Sequence, residues 1–240
     1  MARYALADHV FVCLNGEHLV LLDLKEDRYW ALEASQTAGL APLVEGWPVK
    51  ALGAAEESAD SPSPETAAAL EVLLGRGLLT NDSSPGKPAT PVTATVPVRE
   101  LICETDSSTG TRLGSWMTFL ATSAFAKFAL RTWPFERVIQ RVRRRKELLG
   151  AHAGPLDPER ARKLVEAFAR YRVFLFSSKD ECLYDSFALL EFLARYGIYP
   201  DWVFAVQTRP FAAHCWVQYG DIVFNDTVEH VTGYTPIMVV

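Results

Sequence analysis

Three residue types that together perform acyl transfer fall in one short region of the chain: Cys182, His214 and Asp226, in that order. A thiol, an imidazole and a carboxylate are the nucleophile, the base and the orienting group of a cysteine protease or acyltransferase. Each residue alone is commonplace. A cysteine ahead of an apolar helix is usually a small buried hydrophobe, and a strand histidine is usually structural. The ordered set, each member on a suitable element, is what points to catalysis. Cys215 adjoins His214, and successive strand residues face opposite ways, so Cys215 is expected in the core, facing away from the cleft.

The elements that must position this set are legible around it. Ser177, Ser178 and Asp180 are all N-cap types. From Leu183 to Arg195 the apolar residues Leu183, Phe187, Leu190, Phe192 and Leu193 recur at helical spacing, and Gly197 is a natural terminator. Cys182 then lies in the first helical turn, where free N–H groups and the positive end of the helix dipole lower a thiol's pKa. The same turn, including the Cys182 amide, is a candidate oxyanion site, with Gln207 and Gln218 as further candidate donors. Trp202–Gln207, Ala213–Tyr219 and Asp221–Phe224 read as strands. The bend at Tyr219-Gly220-Asp221 would return Asp226 alongside His214, fixing its tautomer.

The segments CLYDSFALLEFLARYGI and PFAAHCWVQY, followed by Asp226, resemble the leader peptidase (the B or B2 protein) of lasso peptide biosynthesis, a transglutaminase-like cysteine protease. Phe211, Ala213, His214, Trp216 and Val217 match the family's histidine segment as they stand. Asp185 departs from it, since relatives often carry a basic residue there. The resemblance covers roughly residues 101–240. It implies that Cys182 is the nucleophile, His214 the base and Asp226 the orienting carboxylate. It also implies a partner, an ATP-dependent cyclase acting on the trimmed peptide.

At 240 residues the chain can hold one large domain or two small ones. A hydrophobic content of 49% is that of a globular protein, and a net charge of −5 argues against a general nucleic-acid binder. The four cysteines form no C-x-x-C pair, so there is no zinc signature, and the chemistry requires neither metal nor cofactor. The start MARYALADH lacks a secretory pattern, so reduced thiols in the cytoplasm are expected.

Residues 9–34 read as a three-stranded meander, with Asn15-Gly16 and Lys25-Glu26-Asp27 as its turns. Helical patterns follow over Ser35–Val44 and from Pro64 to about Gly75, the latter capped by Ser63. Leu78–Thr80 can add a short strand. Such a unit is winged-helix-like, but its candidate recognition helix has Glu65, Glu71 and only Arg76, which is poor for phosphate binding. The edge strand at Arg28–Leu32 with Tyr29 and Trp30 suits β-augmentation by a peptide. Here the segment is similar to the leader-recognition domain related to the small pyrroloquinoline-quinone biosynthesis chaperone. That similarity implies a leader paired along Arg28, Tyr29, Trp30 and Leu32 and packed on Leu70, Leu73 and Leu74.

Residues 83–99, rich in Pro and Thr, read as an unpacked linker. The apolar stretch Thr111–Leu130 contains Gly, Ser, Thr and Lys127 and reads as a buried helix, so membrane association is not expected. A helix over Pro134–Leu149 carries Arg137, Arg141, Arg143, Arg144, Arg145 and Lys146, either a solvated face or a contact for an acidic partner. Asp157 caps a further helix to about Tyr171.

The expected fold is α+β. A winged-helix-like peptide-recognition domain (1–82) is joined by a Pro-rich linker (83–99) to a papain- or transglutaminase-like cysteine protease domain (100–240). The expected function is removal of the leader from a ribosomally made precursor peptide. A transglutaminase-type acyltransferase and a non-catalytic peptide-binding chaperone are the alternatives.

Overall fold

The computed structural model describes residues 4–49, 62–81, 86–101, 113–151, 154–172 and 182–240. The expected caps Ser177, Ser178 and Asp180 lie outside them. The chain divides into two compact units: Met1–Thr93 with Val206–Ala212 and Thr235–Met238, and Ala94–Ala205 with Ala213–Tyr234 and Val239–Val240.

In the first unit, β1 (Ala5–Ala7) precedes the meander of β2 (Val10–Asn15), β3 (His18–Asp23) and β4 (Arg28–Glu33). Gly16 at φ +58° and Asp27 at φ +51° supply the left-handed positions of its two turns. The register pairs Val12 with Leu21 and Leu21 with Trp30. Val10, Val12, Leu19 and Leu21 join a core with Leu6, Leu40, Leu43, Trp47 and Leu79. Phe11, Cys13, Val20 and Leu22, on the opposite face, are buried too, which is why these strands read as continuous apolar runs. That burial pushes the Cys13 thiol up to about 12. Within the same unit Asn15 donates to Thr235 Oγ1 (2.6 Å) and accepts from Thr208 Oγ1 (2.7 Å).

The helix expected over Ser35–Val44 is a single turn, α1 (Ala34–Thr37), followed by a 3-10 turn at Ala38–Leu40. Next, α2 (Pro64–Gly75) starts as its sequence dictates: Ser63 Oγ accepts from Thr66 N–H at 3.2 Å. Its successors β5 (Leu79–Thr80) and β6 (Gly86–Lys87) flank β1 on either side, antiparallel.

The expectation of an unpacked linker does not hold for its described part. In the first unit, β6 is paired, Ala89 is fully buried, and its N–H donates to Glu45 O at 2.7 Å. In the second unit, Gln218 donates to Thr95 O at 2.7 Å, and β7 (Arg99–Glu100) runs parallel to a later strand. The Pro and Thr residues suppress regular structure, but the chain between them keeps enough backbone donors and acceptors to be strapped down.

The second unit carries α3 (Leu113–Thr132), α4 (Phe135–Arg145), a π-helical turn (Lys146–Gly150), α5 (Pro158–Arg172) and α6 (Cys182–Ala194). Pro134 separates α3 from α4, and Asp157 Oδ1 accepts from the Glu159 and Arg160 N–H groups at the start of α5. β8 (Asp201–Thr208), β9 (Phe211–Tyr219), β10 (Ile222–Val223), α7 (Val228–Val231) and β11 (Thr235–Val239) complete the chain. The five-stranded sheet has the order β11-β8-β9-β10-β7. α6 packs on α3 and α5, and its Phe187 stacks on Trp202 of β8, with ring centroids 5.5 Å apart.

One cation of the basic run on α4, Arg145, turns inward. Glu191, 2% exposed within apolar α6, accepts from Arg145 Nη1 at 2.7 Å and lies 3.5 Å from Arg141 Nε. Lys146 pairs with Asp201. A buried carboxylate left alone would be costly, so Arg145 serves the fold, while Arg141 stays exposed beside it. Among the described residues no helix is long and apolar enough to cross a membrane.

Candidate active site

Cys182 is the first residue of α6, half-buried. His214 lies mid-strand on β9, and Asp226 follows β10 after the turn at Gly220 (φ +57°). His214 Nε2 and Asp226 Oδ2 are 2.5 Å apart, and the His214 ring is hydrogen-bonded to the Cys182 side chain. Because Nε2 faces the carboxylate, Nδ1 is the nitrogen left for the sulfur. The three residues singled out for chemistry are thus brought together.

Electrostatics follow from these contacts. The Cys182 thiol is lowered to about 4 by a hydrogen bond from the Cys215 thiol, against the cost of burial, with help from His214 and the Cys215 N–H. Burial pushes the His214 imidazolium down, but hydrogen bonds to Asp226 and Cys182 outweigh it and raise the ring to about 9. Burial raises the Asp226 carboxyl, and donation from His214, the Thr227 N–H (2.7 Å) and His230 outweighs it, holding the group below its usual range. Between about 4 and about 9 the resting state is therefore a thiolate–imidazolium pair. Alkylation of Cys182 by iodoacetamide should accordingly reach its plateau just above about pH 4, whereas an ordinary thiol rises only near its own pKa of about 8.5. A rise centred near that ordinary value would remove the pair.

Two groups that sequence reasoning passed over complete the site. Asn225 accepts from Val217 N–H (2.8 Å) and donates to Asp185 Oδ2 and Ser186 Oγ (3.0 Å each). One side chain thus ties β9 and the loop carrying Asp226 to the first turn of α6. Asp185, the residue that departs from the family pattern, is buried and also accepts from Arg172 Nη1 at 3.1 Å. Burial, only partly countered by Arg172, raises its carboxyl.

The second group is His230. Thr227 Oγ1 caps α7 by accepting from the His230 N–H, which aims His230 Nδ1 back at both Asp226 oxygens, 3.0 Å from each. A four-residue helix has no periodicity to read, and Thr227, an N-cap type, marks where it starts without singling out His230. His214, Asp226 and His230 offer three metal-ligand atoms within 4.8 Å. Both rings bond the carboxylate directly, so the spacing is that of a hydrogen-bonded chain, not of donors around a central ion. His230 is a positioning residue. Replacing it with Ala should lower kcat/KM about fivefold, as for one lost hydrogen bond of about 1 kcal/mol. His230→Gln should recover part of that loss, and neither change should affect the midpoint of thermal unfolding as strongly as it affects turnover.

The remaining candidates divide. Gln218 is no oxyanion donor: it is 1% exposed, its amide donates to Thr95 O and Gly220 O, and its oxygen accepts from Trp216 Nε1. Gln207, at the end of β8, belongs to the first unit, whereas the triad lies wholly in the second. Cys215 is buried as expected, yet it does not face away, because the Cys182 sulfur sits against β9 at this residue and meets both its thiol and its N–H.

In the first unit β4 is an edge of its sheet. Arg28 is exposed, Trp30 and Leu32 are half-buried against the core, and the Arg76 guanidinium lies 3.9 Å from the Trp30 ring centroid. Tyr29 meets Phe211 edge-on at 5.7 Å. Leu70 and Leu74 are partly buried. Leu73, 3% exposed, is a core residue and has no surface to offer a peptide.

Residues 124–239 match the family model described as Transglutaminase-like superfamily. The match runs from within α3 to β11 and includes Cys182, His214, Asp226 and His230. No curated protein and no solved structure matches the chain.

Proposed function

With a transglutaminase-like domain over residues 124–239 as premise, we propose that the protein is a cysteine peptidase that removes the leader from a ribosomally synthesised precursor during lasso peptide maturation. The observation that carries this reading is the half-buried Cys182 at a helix start, acidic at about 4 and bonded to a histidine that Asp226 holds. The resemblance of its Cys and His segments to lasso leader peptidases supports the substrate class.

In this reading the Cys182 thiolate attacks the scissile carbonyl, and the carbonyl oxygen gains the charge. The N–H groups opening α6 stabilise that oxyanion. His214, already protonated, gives its proton to the departing amine, leaving an acyl-thioester. It then takes a proton from water, which hydrolyses the thioester and frees Cys182. Asp226 keeps the ring oriented and its charged form favoured throughout.

The first unit presents edge strand β4, and we assign leader capture to Arg28, Tyr29, Trp30 and Leu32, with Leu70 and Leu74 beside them. The winged-helix-like character of this unit, its cytoplasmic setting and the ATP-dependent cyclase partner belong to the same proposal. The test is mass spectrometry of a precursor peptide incubated with the protein. Release of a free leader and a free core supports the peptidase. A new amide to an added amine would instead support the acyltransferase. Leader binding in a titration without any Cys182-dependent product would support a chaperone.

A further inference from the structure

We propose that α4 and the π-helical turn after it form a docking groove for an acidic peptide segment, separate from the catalytic residues and independent of the peptidase reading.

The groove lies in the second unit and has a volume of about 540 Å³. Arg137, Arg141 and Arg144 line it. They stand at i, i+4 and i+7, so they share one face of α4 and rise along it by roughly 6 and 4.5 Å. Trp133 begins the row, and Leu148 and Leu149 of the π-helical turn end it. The three arginines are exposed, and so are the leucines, by 58% and 49%. Arg145 lines the groove too, but its charge is answered by Glu191 beneath it. No carboxylate lines the groove. Among the described residues, neither Arg137 nor Arg144 pairs with one.

The rings under the arginines decide what the groove fits. The Arg137 guanidinium lies 4.6 Å from the Trp133 ring centroid, and that of Arg141 lies 4.7 Å from the Phe125 centroid. Stacking holds each guanidinium against a ring and leaves its N–H edges for a carboxylate, which can accept two of them at once. Those ring faces are covered, so they are not platforms for nucleic-acid bases. A bilayer surface takes up apolar side chains along a whole helix face, whereas here they only close the row. Three cations in line followed by two leucines complement a segment with carboxylates about 5–7 Å apart and an apolar end. A helix with acids every third or fourth residue has that spacing, and so has an extended chain with acids at alternate positions. Arg145 ties the groove to Glu191, which is nine residues along α6 from Cys182, roughly 13 Å. A segment bound here is held rather than cut.

The test is fluorescence anisotropy of the full chain with two fluorescein-labelled synthetic peptides. One is helical, with Glu at every third or fourth position and a Leu-Leu end. The other is extended, with alternating Glu and Ser and the same end. Each has a control with Lys in place of Glu. Saturable binding of a glutamate peptide is expected, and none of the lysine forms. It should weaken as salt approaches about 1 M, where the Debye length is about 3 Å. Which glutamate peptide binds distinguishes a helical from an extended segment. Arg137→Gln/Arg144→Gln should weaken binding by roughly tenfold or more, as for two lost charge-assisted hydrogen bonds. Leu148→Asp, a second and independent variant, should weaken it as well. Both should label at Cys182 with iodoacetamide as the wild type does, so a fault in the groove and a fault in the active site are read separately. Failure of both glutamate peptides to bind, or equal binding by wild type and both variants, would overturn the proposal. So would phosphatidylserine vesicles or a single-stranded oligonucleotide binding through these arginines where the glutamate peptides do not.

Discussion

Cys182→Ala should lower leader release by roughly 10⁴- to 10⁶-fold, the scale seen when a covalent nucleophile is removed. Among the described residues, nothing in the site can stand in for the sulfur. Cys215 has a thiol pushed well up by burial and no path to a substrate, being 3% exposed. Asp185 is buried, and its carboxylate is held by Arg172 and Asn225 rather than free to attack. Cys182→Ser should be nearly as inactive, since an ordinary hydroxyl is not ionised by a histidine poised at about 9. The Ala form should still bind the leader, because the residues assigned to capture lie in the other unit. Mass spectrometry of the precursor checks turnover, and a fluorescence titration checks binding. Residual release within tenfold of wild type would place the nucleophile elsewhere.

Asp226→Ala should cost roughly 10²- to 10⁴-fold in kcat/KM, the range of a disabled general base. Two imidazoles lose their common acceptor at once: His214 Nε2 at 2.5 Å and His230 Nδ1 at 3.0 Å. Asp226→Asn separates orientation from charge. Its amide oxygen can still accept from His214, so the ring stays placed and the loss in rate is smaller. The negative charge is gone, however, so the imidazolium is less favoured and its pKa falls from about 9 toward 6.5. Protonated His214 is needed for amine departure, and it disappears as pH rises through that pKa. The alkaline limb of the pH–kcat/KM profile should therefore move to lower pH in Asp226→Asn, while the acid limb, set by Cys182, stays near about 4. An alkaline limb unmoved by this change would remove Asp226 from the site.

What the sequence disclosed, and what it withheld, follows from the range of the forces involved. The helix opening at Cys182, the strand carrying His214 and the turn that returns the chain toward Asp226 are written in local periodicity, a terminating Gly197 and Gly220, so they are legible without a fold. The cap at Ser63 is equally local. By contrast, β11 contains Pro236, which argues against a strand until its place at the sheet edge is known. Asn225 looks like a turn residue until β9 and α6 converge on its amide. Glu191 breaks the apolar face of α6, and only the partner Arg145, distant in sequence, explains it. Gln218 resembles a free donor until Thr95 and Gly220 occupy it. Each of these depends on contacts between residues far apart in the chain.

The acidity of Cys182 is assembled rather than inherent. It comes from Cys215 and His214 on β9, and Asn225 pins that strand to α6. A chain that has not closed this junction carries only ordinary thiols, which are protonated at about pH 5. In the folded molecule Cys13 and Cys215 are driven the other way. A thiol-directed dye applied at about pH 5 would therefore mark Cys182 in native molecules and leave misfolded ones dark. The site would act as a stoichiometric gauge of correctly folded protein, readable before any substrate is known.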